Sequence, residues 1–180
     1  MDVYVDSPMA VAATRVTLKY ARLPELERVR FTEDLEESKH INSVTSDAVI
    51  ISASGMCEGG RIRHHLRYNI SRPECAIVFV GFQAAGTLGR RIVDRAESVR
   101  LFGEEYPVRA KVFTIGGLSA HADRSALLGW IARFRRPPRQ TWVVHGEPLA
   151  AHSLCEAINA RPGWRAAVPV TGQVAPLAAG

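Results

Sequence analysis

Cysteine is scarce in this chain. Cys57, Cys75 and Cys155 are odd in number, widely spaced, and include no Cys-x-x-Cys pair. That excludes a zinc ribbon and a disulfide framework. The thiols read as buried or incidental groups of a reducing compartment. Lysine is scarcer than the charge suggests, standing only at Lys19, Lys39 and Lys111. No apolar run approaches the ~20 residues needed to cross a bilayer. The N-terminus, Met1 to Asp6, lacks the basic segment and apolar stretch of a secretory signal, so a cytoplasmic address is expected.

What is present suits one ordinary domain or two small lobes in 180 residues. Hydrophobic residues at 47% can build a core, and charged residues at 23% are ordinary for a globular domain. The net charge is +5 and arginine supplies nearly all the cations. Guanidinium forks bind phosphate bidentately, which suits a polyanionic partner. An Ala- and Arg-rich chain also follows from a GC-rich genome, and both readings stand.

Along the chain, Val3–Val5 reads as a strand end, and Ser7 caps a helix with Pro8 in its first turn, running to about Arg22 and stopped by Pro24. Glu25 to Asn42 reads as charged, partly helical surface with Thr32 as a cap. Ala48–Ser52 is a continuous apolar run that predicts a strand buried on both faces. A helix is expected from near Arg61 to near Asn69, a strand at Ala76–Val80, and a helix from Thr87 to about Arg95. Strands are expected at Val99–Phe102 and Val108–Ile115, and a helix over about Ala122–Phe134. Thr141–Val144 reads as a strand, Leu149–Ala160 as a helix, and Trp164–Val168 as a last strand. The small, apolar tail 171–180 is expected to be disordered. Repeated strand–loop–helix order predicts an α/β fold with mostly parallel strands, whose ligands sit in the loops after the strands.

Three loops carry chemistry. In Ser52-Ala53-Ser54-Gly55-Met56-Cys57-Glu58-Gly59-Gly60-Arg61, glycines let backbone N–H groups approach an anion at a helix start. The candidate phosphate-binding residues are Ser52, Ser54, Gly55, Gly59, Gly60 and Arg61; a tight structural turn is the competing reading. No Gly-Lys-Ser/Thr follows, so it is not a Walker loop. In Gly116-Gly117-Leu118-Ser119-Ala120-His121-Ala122-Asp123, His121 stands before a helix, where an imidazole can give or take a proton. Asp123 can cap that helix, and a capping segment with an incidental histidine is the alternative. In Trp142-Val143-Val144-His145-Gly146-Glu147, His145 ends an apolar strand, a place suited to a metal ligand or to a satisfied polar residue.

These segments occur in order with Asp6-Ser7-Pro8-Met9-Ala10, His64-His65-Leu66, Gly81-Phe82-Gln83 and Gly86-Thr87-Leu88. Together they resemble the β-CASP branch of the metallo-β-lactamase superfamily over about residues 3–168. The resemblance implies that 1–107 form part of a β-CASP lobe and 108–170 the C-terminal part of a metallo-β-lactamase domain. It implies RNA hydrolysis with two zinc ions, His121 as the general acid with Asp123 beside it, Ser119 on the phosphate, and His145 as one zinc ligand. The family's His-x-His-x-Asp-His motif is absent from this chain. His145 alone is therefore not expected to hold zinc tightly, and His40, His64, His65 and His152 lack the spacing to replace the missing set. The chain by itself is expected to be inactive, with RNA and an N-terminal lactamase-like half as partners. A metal-free RNA- or nucleotide-binding module is the alternative. An exposed edge at Thr141–Val144 would favour self-association, a homodimer included, and lower the stability of the chain.

Overall fold

The structure, a computed structural model, describes residues 1–22, 28–118 and 121–175. The chain divides into two compact units, Met1–Ser119 and Ala120–Gly180. Both are mixed α/β.

The first unit begins with β1 (Asp2–Asp6), which is flanked by β2 (Val29–Phe31) and β3 (Ala48–Ser52), all parallel. Val5 stands between Phe31 and Ile51 in the register. Ser7 caps α1 (Pro8–Thr17) as its sequence predicts: its hydroxyl accepts from the Ala10 N–H, and Pro8 starts the first turn, where a missing N–H costs nothing. The helix ends five residues before Arg22, and the expected stop at Pro24 lies outside the described residues.

Thr32 is not a helix cap. The cap of α2 (Leu35–Ile41) is Asp34, whose Oδ1 accepts from the Glu37 N–H at 2.9 Å while Glu37 Oε2 accepts from the Glu33 N–H at 2.7 Å. This is a variant of the capping box in which the returning bond goes to the residue before the N-cap. Nor is the segment only solvated surface, since Thr32, Ser38 and Ile41 are buried. The expectation that β3 is buried on both faces also fails: Val49 and Ile51 are 38% and 51% exposed. Alternation along β3 places these two side chains on one face of the strand, the more exposed one.

After β3 come α3 (Ile62–Asn69), β4 (Ala76–Val80) and α4 (Leu88–Val93), the last capped by the Thr87 hydroxyl through the Arg90 N–H. The strand expected from Val108 to Ile115 begins only at Lys111, because the N–H groups of Arg109 and Ala110 go to Ile70 O rather than to a neighbouring strand. β5 (Ser98–Leu101) and β6 (Glu104–Pro107) form an antiparallel hairpin, and β7 (Lys111–Ile115) leaves it to pair in parallel with β4. The hairpin turns on Phe102 and Gly103, both with positive φ, as a tight two-residue connection requires. The core gathers Leu66 of α3 and its C-cap Ile70, Phe79 of β4, Ile92 of α4, and Val99 and Leu101 of β5. On β4 and β7, Val78, Val80, Phe113 and Ile115 remain exposed.

The second unit is built from α5 (Arg124–Ile131), β8 (Thr141–Trp142), α6 (Pro148–Asn159) and β9 (Ala166–Ala167). β8 is half the expected length, and among the described residues it pairs only with β9, in parallel. Ile131, Val143, Ala151, Cys155 and Ile158 form its core. Phe134 meets both Trp130 and Trp164 edge-on, with centroids 5.0 and 5.9 Å apart. The Asn159 amide ties α6 to β9 by donating to Ala166 O at 3.0 Å and accepting from Ala166 N at 2.7 Å. Thr171–Ala175 is a turn and coil segment; residues 176–180 lie outside the described part.

Candidate functional site

The loop between β3 and α3 is organised around a carboxylate that sequence reasoning assigned no role. Asp6, at the end of β1, is fully buried. Its Oδ1 accepts from Arg61 Nη1 at 2.5 Å and from the Thr32 hydroxyl at 2.5 Å. Its Oδ2 accepts from the Ser38 hydroxyl at 2.7 Å and lies 2.6 Å from His65 Nε2. The other ring nitrogen of His65 lies 3.1 Å from Asn42 Oδ1. Burial works to raise the Asp6 pKa. The hydrogen bonds from Ser38, Thr32, His65 and Arg61 outweigh it and hold the group down at about 2. An ionised carboxylate accepts only, so His65 Nε2 carries the donated proton.

Three of the predicted phosphate-binding side chains are spent inside this construction. The Ser52 hydroxyl donates to Asp6 O at 2.9 Å, the Ser54 hydroxyl to Gly59 O at 3.2 Å, and Arg61 points at Asp6 and Thr32. Gly60 is required twice over: its φ is +80°, and a Cβ there would stand 2.3 Å from Ala53 O. Gly55 and Gly59 have open space where a Cβ would be. The backbone N–H groups of Gly55, Met56 and Glu58 have no partner among the described residues. What the loop offers outward is therefore its backbone, held in shape by its side chains. Cys57 is turned into the core, where burial and the neighbouring Glu58 charge push its thiol up to about 11. It is neutral and unreactive near pH 7.

The second set of candidates lies in the other unit. His121 and Asp123 are exposed just before α5. Asp123 is its N-cap, accepting from the Ala126 N–H at 2.7 Å and the Ser125 hydroxyl at 2.7 Å, bonds that hold its carboxyl below the usual range. His145 is exposed beyond β8 with φ +66°, a left-handed conformation that few side chains other than Asn, Asp and His adopt. Ser119 lies outside the described residues. Among the described residues no group of three or more His, Cys, Asp or Glu side chains could hold a metal ion. One imidazole at His145 falls short of the three or four donors zinc requires, so the residues present do not fit a zinc centre.

Sequence reasoning missed His65, Asn42, Ser38 and Thr32 as parts of one cluster. A signal existed in the spacing of Arg61 and His65, four apart and therefore on one face of α3.

Comparison with known proteins gives two family matches along the chain, the second beginning inside the first unit. Residues 1–92 match the Beta-Casp domain family, and residues 105–169 match the Zn-dependent metallo-hydrolase RNA specificity domain. A ribonuclease of Thermus thermophilus is 40% identical over 163 residues, covering 81% of this chain and 36% of that protein. A transcription termination factor, FttA, of Pyrococcus abyssi is 34% identical over 139 residues, 74% of this chain and 22% of the relative. An RNase J-like protein of Methanocaldococcus jannaschii is 33% identical over 129 residues, 72% and 30% of the two chains. The chain belongs to the β-CASP family of metallo-β-lactamase-type RNA nucleases. It spans about a third or less of the length of these relatives. Among the described residues no helix is long and apolar enough to cross a membrane.

Proposed function

We propose that this chain is the RNA-gripping and proton-donating part of a zinc-dependent phosphodiesterase that hydrolyses RNA, and that alone it does not cut. The observation that carries the reading is the match of residues 105–169 to the RNA specificity domain of zinc-dependent hydrolases, a span that contains both His121 and His145. In this reading residues 1–107 belong to the β-CASP lobe and residues 108–170 to the C-terminal part of the lactamase-like domain.

The roles follow from the chemistry of each group. His121, as imidazolium, protonates the sugar oxygen that leaves when the phosphodiester breaks, a step worth about 10²–10⁴-fold in rate. Asp123 fixes the start of α5 directly after it. Ser119, two residues before His121, hydrogen-bonds the phosphate. The free N–H groups of Gly55, Met56 and Glu58 receive backbone phosphate oxygens, with Ser52, Ser54 and Arg61 keeping the loop in shape. His145 would supply one imidazole to a metal centre, whose other ligands would have to come from an N-terminal lactamase-like half. Cytoplasmic RNA is the substrate, and the uncovered apolar strands of this chain favour pairing with that half or with a second copy.

The test is reconstitution. Mixing the chain with a separately produced lactamase-like half of the Thermus relative and zinc should give cleavage of a labelled oligoribonucleotide. His121→Ala and His145→Ala should each abolish it. Absence of cleavage in the mixture, with both parts folded, would overturn the reading. A second reading is favoured by the missing donor set: a metal-free RNA-binding module. It calls for salt-dependent RNA binding with chelator present, and it falls if no RNA is retained at low salt. A mononucleotide bound at Gly55–Arg61 would point instead to a nucleotide-binding module.

A further inference from the structure

The first unit also gathers positive charge away from the Asp6 cluster. Arg63 of α3, Arg91 of α4 and Arg100 of β5 line a single cavity of about 220 Å³, together with Cys57, Glu58 and Leu88. Three elements distant in sequence bring three guanidinium groups to one opening. Among the described residues none of the three pairs with a carboxylate. Glu105, opposite Arg100 across the hairpin, takes the hydrogen bond of the Ser98 hydroxyl instead. Glu58 bends to the Leu88 N–H at 2.5 Å. Arg63 lies over the Phe102 ring, 4.8 Å from its centroid, and its Nε is buried without a hydrogen-bond partner. A buried donor with no acceptor costs free energy. Three guanidinium groups against the one carboxylate of Glu58 leave the cavity with an excess of positive charge, which adds to that cost.

We propose that Arg63, Arg91 and Arg100 form a phosphate-binding pocket. Its ligand is a phosphate group, carried by an RNA backbone or free in solution. An anion there would satisfy Arg63 Nε and neutralise the cluster in one step, because each guanidinium presents donors in a planar fork. Phe102, 44% exposed at the hairpin tip and touched by His64 at 4.7 Å, offers an aromatic surface beside the pocket. A phosphate with an attached base fits that pairing of charge and ring better than a bare anion. The RNA source rests on the function proposed above; the phosphate chemistry does not.

The experiment measures two affinities of the full chain, for a single-stranded oligoribonucleotide across a salt series and for inorganic phosphate by the NMR signal of the Arg63 side-chain N–H. Arg91→Gln with Arg100→Gln should weaken RNA binding about ten-fold at low salt and flatten the log–log salt slope by about 0.7 per phosphate lost. Glu58→Gln keeps an acceptor for the Leu88 N–H while removing a negative charge, and should tighten binding about two- to five-fold. A damaged fold cannot produce that gain. If the variants lose inorganic phosphate but wild type binds no RNA, the pocket stands and the RNA reading falls. If neither RNA affinity nor the Arg63 signal responds to the substitutions or to phosphate, the pocket is overturned.

Discussion

The two units hold their polar residues in opposite ways. Around Asp6, polar side chains are buried and satisfied by one another. In the second unit, His121, Asp123 and His145 stand exposed at the ends of short elements. A residue type that suggests chemistry can thus be a strut in one setting and open to solvent in the other. Stability should depend on the first set and barely on the second.

The sharpest way to break that comparison is Asp6→Ala. It leaves Arg61 and His65 without their shared acceptor in a site with little access to water, and such removals cost ~3–5 kcal/mol. Urea unfolding should register the loss; a change comparable to that of a surface substitution would mean the cluster is not a strut. Acid provides the next test. The Asp6 pKa lies near 2 in the folded chain, below the ordinary value of 3.8. Its contribution is therefore complete above about pH 4 and disappears as pH falls through about 2, amounting to ~2 kcal/mol. Unfolding free energies measured at pH 7, 4, 3 and 2 should fall across that window, and Asp6→Asn should flatten the fall. Asp123→Ala removes only a cap from an exposed helix end, so the melting temperature should drop by less than for Asp6→Ala. The smallest effect is expected at His145. His145→Gly relieves a left-handed backbone while adding chain entropy to the unfolded state. Stability should rise by a few tenths of a kcal/mol. A clear loss would show that the imidazole is held by contacts rather than presented by them.

Much of the fold was legible where local chemistry decides it. Ser7-Pro8 marked the start of α1, Thr87 that of α4, and the apolar runs at Ala48 and Ala76 gave β3 and β4. Asp34-x-x-Glu37 is the local start signal for α2, and Thr32 does not cap it. The hydroxyl of Thr32 is taken by Asp6, 26 residues away, and nothing local announces that. The β5–β6 hairpin was missed because its turn puts positive φ on a phenylalanine, where Asn-Gly or Asp-Gly would have been recognised. At the candidate site, individual residues could be named from motifs. That Arg61 and His65 converge on Asp6 depends on contacts 55 and 59 residues apart, which periodicity cannot reveal.

Gly60 has a reach beyond its own turn. The Ala53 carbonyl that any side chain at position 60 would strike also accepts the N–H of Ile62, the first residue of α3. Displacing that oxygen tilts the helix that carries Arg63, His64 and His65. A single methyl group at position 60 would thus act as a lever, disturbing the arginine pocket and the Asp6 anchor together although it touches neither.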